Sequence, residues 1–230
     1  MSLRIIMSGL TEPHWSAALD HALLDGVRSK EPVLHVYRRP PTISLGYSRS
    51  VSEIDLEQAE KEKVTIIRRM SGGGSIYNDE GQLIYSLAVP AAIVPKERKA
   101  CLHMACSIVA EAIRSLGVKA EIKEPNDVLV NGTKVSGNSQ IRREGSVALQ
   151  GTLIVFHSES NALLNKSSTT GSLASVRDIS IEEAERALVK AVGRALKEDL
   201  RYDRPDAEEL ERARDLLRER YGNKAFIWKR

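Results

Sequence analysis

Asp127-Val128-Leu129-Val130-Asn131-Gly132-Thr133-Lys134-Val135-Ser136-Gly137-Asn138-Ser139-Gln140 is the stretch whose reading decides the fold. Asn-Gly between two β-branched runs is the preferred two-residue hairpin turn, because a type I′ turn needs positive φ at both central positions. The spacing predicts strands over Asp127–Val130 and Thr133–Arg142, tightly joined and therefore antiparallel. A second turn at Glu144-Gly145 returns the chain through Ser146–Phe156. Further strands are predicted at Val33–Arg38, Thr42–Tyr47 and Gln82–Val89, with another ending at Arg68-Arg69.

Helices flank these strands. Pro13–Ser29 carries the apolar stripe Trp15, Leu19, Leu23 and Val27, with Thr11 as its expected cap. A short polar helix is expected over Leu56–Glu62, and an amphipathic one over Lys96–Leu116 that stops at Gly117. Ser180 with Glu183 forms a capping box before another helix. A last helix starts at Asp203 or Pro205 and ends near Tyr221, and the polar segment Asn161–Arg177 reads as a mobile loop. Strands gathered centrally with helices at both ends predict an α+β fold, a mostly antiparallel or mixed sheet flanked by helices.

The bulk numbers narrow the function. A chain of 230 residues with 42% hydrophobic residues can bury a sizeable core. The net charge of +3 is too mild to call for a nucleic-acid partner. Cys101 and Cys106 form no disulfide framework, so the chain reads as reduced and cytoplasmic. No apolar run reaches membrane length, and no membrane role is expected. The five histidines show no metal-ligand spacing.

Chemistry concentrates in two places. Arg68-Arg69-Met70-Ser71-Gly72-Gly73-Gly74-Ser75-Ile76-Tyr77-Asn78-Asp79 places bare backbone beside two guanidinium groups, which suits an anion such as phosphate. A plain tight turn is the structural alternative. No Gly-Lys-Ser/Thr follows, and a strand rather than a helix is predicted next, so neither a Walker loop nor a dinucleotide fingerprint fits. Arg68 and Arg69 point to opposite faces of their strand, so at most one meets a ligand. The second place is the hairpin itself. Lys134 is either an exposed strand lysine or a cation aimed at a reacting carboxylate and phosphate. Asp127 is either a turn cap or a group that orients Lys134 or binds Mg²⁺. Gly137 inside a strand favours close approach of a ligand.

Arg-Arg-x-Ser-Gly-Gly-Gly…Asp, then Asn-Asp…Gly-x-Lys-Val-Ser-Gly-x-x-Gln, then Gln-Gly-Thr-Leu, together resemble the lipoate–protein ligase A family, within the biotin and lipoate protein ligases. Thr42-Ile-Ser-Leu-Gly-Tyr-Ser resembles the strand that precedes the glycine loop there. The resemblance runs from the first helix to the last and implies a biotin/lipoate-ligase-like fold. It implies an enzyme that converts lipoate and ATP, with Mg²⁺, to lipoyl-adenylate. The lipoyl group then passes to a lysine of lipoyl-domain acceptors, the E2 subunits of 2-oxoacid dehydrogenases and the glycine cleavage H protein. Carried over by position, Arg69 and Gly74, Ser75, Ile76 and Tyr77 contact the nucleotide. Ser71, Gly72 and Gly73, with Asn126 and Gly137, lie along the acyl-adenylate. Lys134 meets the acyl carbonyl and α-phosphate, and Asp127 positions the lysine or a metal. Leu45, Tyr47, Ile76 and Leu153 are expected walls of the lipoyl slot.

Two positions depart from the family pattern: Asn78 and Gln150 stand where many members carry histidine. Neither can titrate near neutrality. The resemblance assigns residues 1–230 to the catalytic large domain, with the small C-terminal domain that some members carry absent and its work left to a separate accessory protein. An ATP-independent octanoyltransferase and a non-catalytic lipoyl-domain binder are the rival readings. The cysteine of related transferases lies near Asn126-Asp127, where this chain has none.

Overall fold

The computed structural model describes residues 2–27, 31–156, 163–164 and 170–229. Its elements in chain order are β1 (Ser2–Leu10), α1 (Pro13–Val27), β2 (Val33–Arg38), β3 (Thr42–Leu45), α2 (Leu56–Lys61), β4 (Thr65–Arg68), β5 (Ile76–Asn78) and β6 (Gln82–Pro90). There follow α3 (Arg98–Ser115), β7 (Glu121–Lys123), β8 (Asp127–Val130), β9 (Thr133–Arg143), β10 (Ser146–Ile154), α4 (Ile181–Leu196), β11 (Asp199–Tyr202), α5 (Ala207–Leu216) and α6 (Lys224–Ile227). Asn131 and Gly132 have φ of 49° and 75°, as the hairpin requires, and Glu144-Gly145 turns the same way.

An eight-stranded sheet runs β11-β1-β2-β6-β10-β9-β8-β7, and a three-stranded one runs β4-β3-β5. The large sheet is antiparallel from β2 to β7, whereas β1 is parallel to both β2 and β11. In the small sheet β3 is parallel to β4 and antiparallel to β5. The fold is thus the expected mixed sheet flanked by helices.

Alternation along the strands sorts side chains between two faces. On one face Leu83, Leu87 and Val89 of β6 with Val147, Leu149 and Leu153 of β10 join Val109 and Ile113 of α3 and Leu188 and Val192 of α4 in the main core. On the other, Ala88 and Ala148 lie in a second cluster with Leu19 and Leu23 of α1. Small alanines let α1 approach there. Further along the same face the small sheet and its glycine loop stand across from β6, β10 and β9, and a cavity of about 290 Å³ lies between them.

Several local readings change. Glu12 rather than Thr11 caps α1: its carboxylate accepts from the His14 and Trp15 amides, while Thr11 donates to the Ser8 and Gly9 carbonyls. The helix expected from Asp203 or Pro205 is α5, which begins after Asp206 in a capping box with Glu209; the chain continues through a π-turn at Leu217–Tyr221 and the short α6. The Ser180–Glu183 box forms as read. β11 carries no alternation because it is an exposed edge strand, recruited only by pairing with β1. Ser29 and, within Asn161–Arg177, residues 161–162 and 165–169 lie outside the described residues. Of that segment, Leu163 and Leu164 pack with Ile43 and Leu45, and Leu173–Ser175 forms a short 3₁₀ turn.

Candidate active site

One row of the large sheet organises the cavity. Tyr37 of β2 stands opposite Ile84 of β6, Ile84 opposite Thr152 of β10, Thr152 opposite Gly137 of β9, and Gly137 opposite Asp127 of β8. Residues so paired share a face, and Tyr37, Ile84, Thr152 and Gly137 all line the cavity. Lys134 lies three residues before Gly137, a spacing that alternation alone would put on the opposite face. The register shift in the β8–β9 pairing next to Val128 and Leu129 removes that conflict, and both residues line the cavity. Lys134 Nζ is 2.6 Å from Asp127 Oδ1. A Cβ on Gly137 would stand 2.9 Å from the same nitrogen, so glycine leaves the room the ammonium occupies.

The glycine loop faces this lysine across the cavity. Gly73 has φ of 98°, and a side chain at Gly46 beneath it would collide with the Gly73 carbonyl. Arg69 holds the loop in shape. Its Nη1 donates to the Ser44 carbonyl at 2.7 Å, and its Nη2 donates to the carbonyls of Gly72 at 2.8 Å and Gly74 at 2.7 Å. Burial, and then the charges of Arg39 and Arg49, push its pKa down to about 10, so it remains a cation at neutral pH. Arg68 turns the other way, as alternation predicts. It donates to the carbonyls of Gly46, Tyr47 and Arg49 and to those of Phe226, Ile227 and Lys229, joining the chain end to the back of the loop.

Of the residues singled out in the sequence, Arg69, Gly73, Gly74, Ser75, Ile76, Tyr77, Asn126, Lys134 and Gly137 line the cavity together. Ser71 sits behind it, its hydroxyl 2.9 Å from that of Ser139, and Gly72 contributes its carbonyl to Arg69. Asp127 reaches Lys134, and no group of three or more His, Cys, Asp or Glu side chains able to hold a metal converges among the described residues. Of the expected slot walls only Ile76 lines the cavity. Leu45 belongs to the cluster beneath the small sheet, Leu153 points to the opposite face into the main core, and Tyr47 is exposed beside Lys229.

Sequence reasoning missed the floor. Tyr37, Gln82, Ile84, Ser139, Thr152 and Ile154 line it, and all come from the face opposite the main core. Period-two alternation along β6 and β10 was the signal that could have found them. It also missed the hub behind them. Asp20 of α1, only 1% exposed, accepts from the Tyr37 hydroxyl and Gln150 Nε2, each at 2.8 Å, and bonds His35 Nδ1 at 2.8 Å. Asn78 and Gln150, the two departures from the family pattern, both line the cavity. Cys101 and Cys106 are buried on α3 outside the cavity lining, and burial raises the Cys106 thiol to about 11.

Comparison with known proteins places this geometry. A family model, the Lipoyl protein ligase A/B catalytic domain, matches residues 12–193. A lipoate-protein ligase A homologue of Aeropyrum pernix is 28% identical over 93% of this chain and 88% of its own. The octanoyltransferase LipM of Geobacillus kaustophilus is 27% identical over 99% of this chain and 98% of its own. The chain spans between 43% and 46% of the length of three other curated ligases. Among solved structures, a lipoate-protein ligase A bound with ATP superposes with a TM-score of 0.92 at 23% identity, covering 99% of both chains. A bi-partite lipoate protein ligase from Thermoplasma acidophilum, described with its E2 lipoyl domain, gives 0.90 at 24% identity, covering 99% of this chain and 96% of that one. These two likenesses show the biotin and lipoate ligase fold; the chain belongs to the lipoyl protein ligase A/B catalytic-domain family.

Proposed function

We propose that this chain is the catalytic unit of an ATP-dependent lipoate–protein ligase. One observation carries the reading: Lys134, Arg69 and Gly73 and Gly74 of the triple-glycine loop line one cavity. Adenylation brings a carboxylate oxygen to the α-phosphorus of ATP, forms the P–O bond and releases pyrophosphate. Two anions must meet, and a preorganised cation offsets their repulsion and the charge that grows in the transition state. Lys134 fills that role, held in place by Asp127. In the second step the amine of an acceptor lysine attacks the acyl carbonyl, AMP leaves, and Lys134 stabilises the oxyanion.

Asn126 and the backbone of Gly73, Gly74, Ser75, Ile76 and Tyr77 are assigned to the nucleotide and adenylate, and the slot over Ile84 and Thr152 to the acyl chain. The protein offers no metal cage of its own among the described residues, so Mg²⁺ enters as part of the ATP substrate. Acceptors are lipoyl domains, in line with the Thermoplasma ligase described with its E2 lipoyl domain, and a separate accessory protein completes the unit, in line with that ligase being bi-partite. A cytoplasmic setting suits two unpaired cysteines.

The likeness to LipM supports a second reading, acyl transfer between carrier proteins without ATP. The buried cysteines disfavour a thiolate route. Mass spectrometry of a lipoyl domain incubated with this chain, lipoate and ATP tests the proposal. A lipoyl adduct that needs ATP and disappears with Lys134→Ala supports it. An adduct formed from octanoyl carrier protein without ATP overturns it.

A further inference from the structure

The mostly apolar cavity carries buried polar groups at one end, where an acyl slot has every reason to be oily. Tyr37 lies three strands from Gly137 in the same row, about 14 Å at about 4.8 Å per strand. An acid whose carboxylate meets Lys134 over Gly137 therefore extends its chain towards Tyr37, a statement that rests on the acyl-site reading above. At that far end Arg39 is 3% exposed and lines the cavity. Its Nε donates to Ser16 Oγ at 2.8 Å and its Nη2 to the Tyr37 hydroxyl at 3.1 Å. Among the described residues it has no carboxylate ion-pair partner.

Gln150 converges on the same corner. Its Nε2 donates to Asp20 Oδ2, and because the Asp20 carboxylate also accepts a hydrogen bond from the Tyr37 hydroxyl, the amide orientation follows: Oε1 is the atom left over. Gln150 is 8% exposed and lines the cavity, and Oε1 is buried with no hydrogen-bond partner among the described residues. A buried acceptor left unpaired is destabilising by more than a typical hydrogen bond contributes, so such atoms in native proteins call for a partner. A saturated hydrocarbon end would leave Oε1 unpaired and cover the Arg39 guanidinium with methylenes. A hydroxyl or thiol there donates to Gln150 and accepts from Arg39.

We propose that Arg39 and Gln150 form a specificity subsite for a hydroxyl or thiol on the far part of the acyl chain, so that the protein selects such acids over octanoate. Calorimetry of the intact chain with octanoate, ω-hydroxyoctanoate and freshly reduced dihydrolipoate, with and without a non-hydrolysable ATP analogue, tests this directly. At least one of the two donor acids is expected to bind about tenfold or more tightly than octanoate. Arg39→Met and Gln150→Met are each expected to reduce that ratio to within about threefold, with melting curves confirming folded variants. Equal binding of octanoate and both donor acids by the unmodified protein overturns the inference without recourse to any variant. So does a preference that survives in both folded variants, or failure of every acid to bind. Lipoate-dependent pyrophosphate release is followed in parallel. If it is absent even with the accessory protein supplied while the acid preference stands, the ligase reading falls and the subsite remains; if it is present while the preference is absent, the reverse holds.

Discussion

The two faces of the eight-stranded sheet are built from the same strands and put to opposite uses. On β10, Val147, Leu149 and Leu153 enter the main core, while Gln150 and Thr152 look into the cavity. On β6, Leu83 and Leu87 go one way, and Gln82 and Ile84 the other. The first face is filled by α3 and α4 with aliphatic side chains. The second carries a buried carboxylate hub, faces the buried Arg39 and Arg69, and holds polar atoms without protein partners among the described residues. A close-packed face keeps the sheet rigid, and that rigidity lets the opposite face hold a cavity with unsatisfied groups in fixed positions. Stability and chemistry are thereby separated by a spacing of one residue.

That separation can be broken experimentally. The largest effect is expected on the filled face: Leu149→Ala, at a fully buried central position, should destabilise by about 2–5 kcal/mol in denaturant titrations. Less than about 1 kcal/mol would mean the core tolerates a void there. On the cavity face Lys134→Ala should leave the melting midpoint nearly unchanged, because its partly exposed ion pair contributes at most about 1 kcal/mol. Pyrophosphate release should fall by roughly a hundred- to a thousandfold, about 2.7–4 kcal/mol of transition-state stabilisation. A matching loss of stability would blur the division between the faces.

Asp20→Ala tests where the faces meet their supports. It leaves the His35, Tyr37 and Gln150 donors facing one another without an acceptor, and each buried group so orphaned costs about 1–3 kcal/mol before relaxation. Both melting and acid affinity should drop, unlike the outcome for Lys134. The smallest effect concerns His21, on α1 against the chain end, where its Nδ1 lies 3.0 Å from the Tyr221 hydroxyl oxygen. Burial, partly countered by Asp25, depresses its pKa to about 4. The unfolded chain then binds the proton more tightly, so this contribution is intact above about pH 6.5 and is lost as pH falls towards 4. Subtracting the pH–stability profile of His21→Gln should isolate that slope, and identical profiles would show that His21 does not contribute.

Much of this was legible along the chain. The Asn131-Gly132 turn and the Glu144-Gly145 turn announced three antiparallel strands, since positive φ at those sites is local chemistry. The opposed directions of Arg68 and Arg69 followed from strand periodicity alone. The slot walls did not follow. Leu45 and Leu153 are apolar neighbours of the motifs, yet alternation turns them away, while Tyr37 of β2 and Arg39 just past its end enter from a segment that no motif marked. β11 gave no signal because its existence depends on an edge offered by β1.

By itself the order of residues determined the hairpins, the helix caps at Ser180 and the glycine loop, because each depends on backbone preferences within a few positions. Only the tertiary structure decided which side chains share the cavity. A register shift beside Leu129 turned Lys134 towards Gly137, and pairing of β2, β6, β10 and β9 set Tyr37 three strands from it. Register between strands that no tight turn joins is chosen by packing of distant segments, which local preferences do not encode.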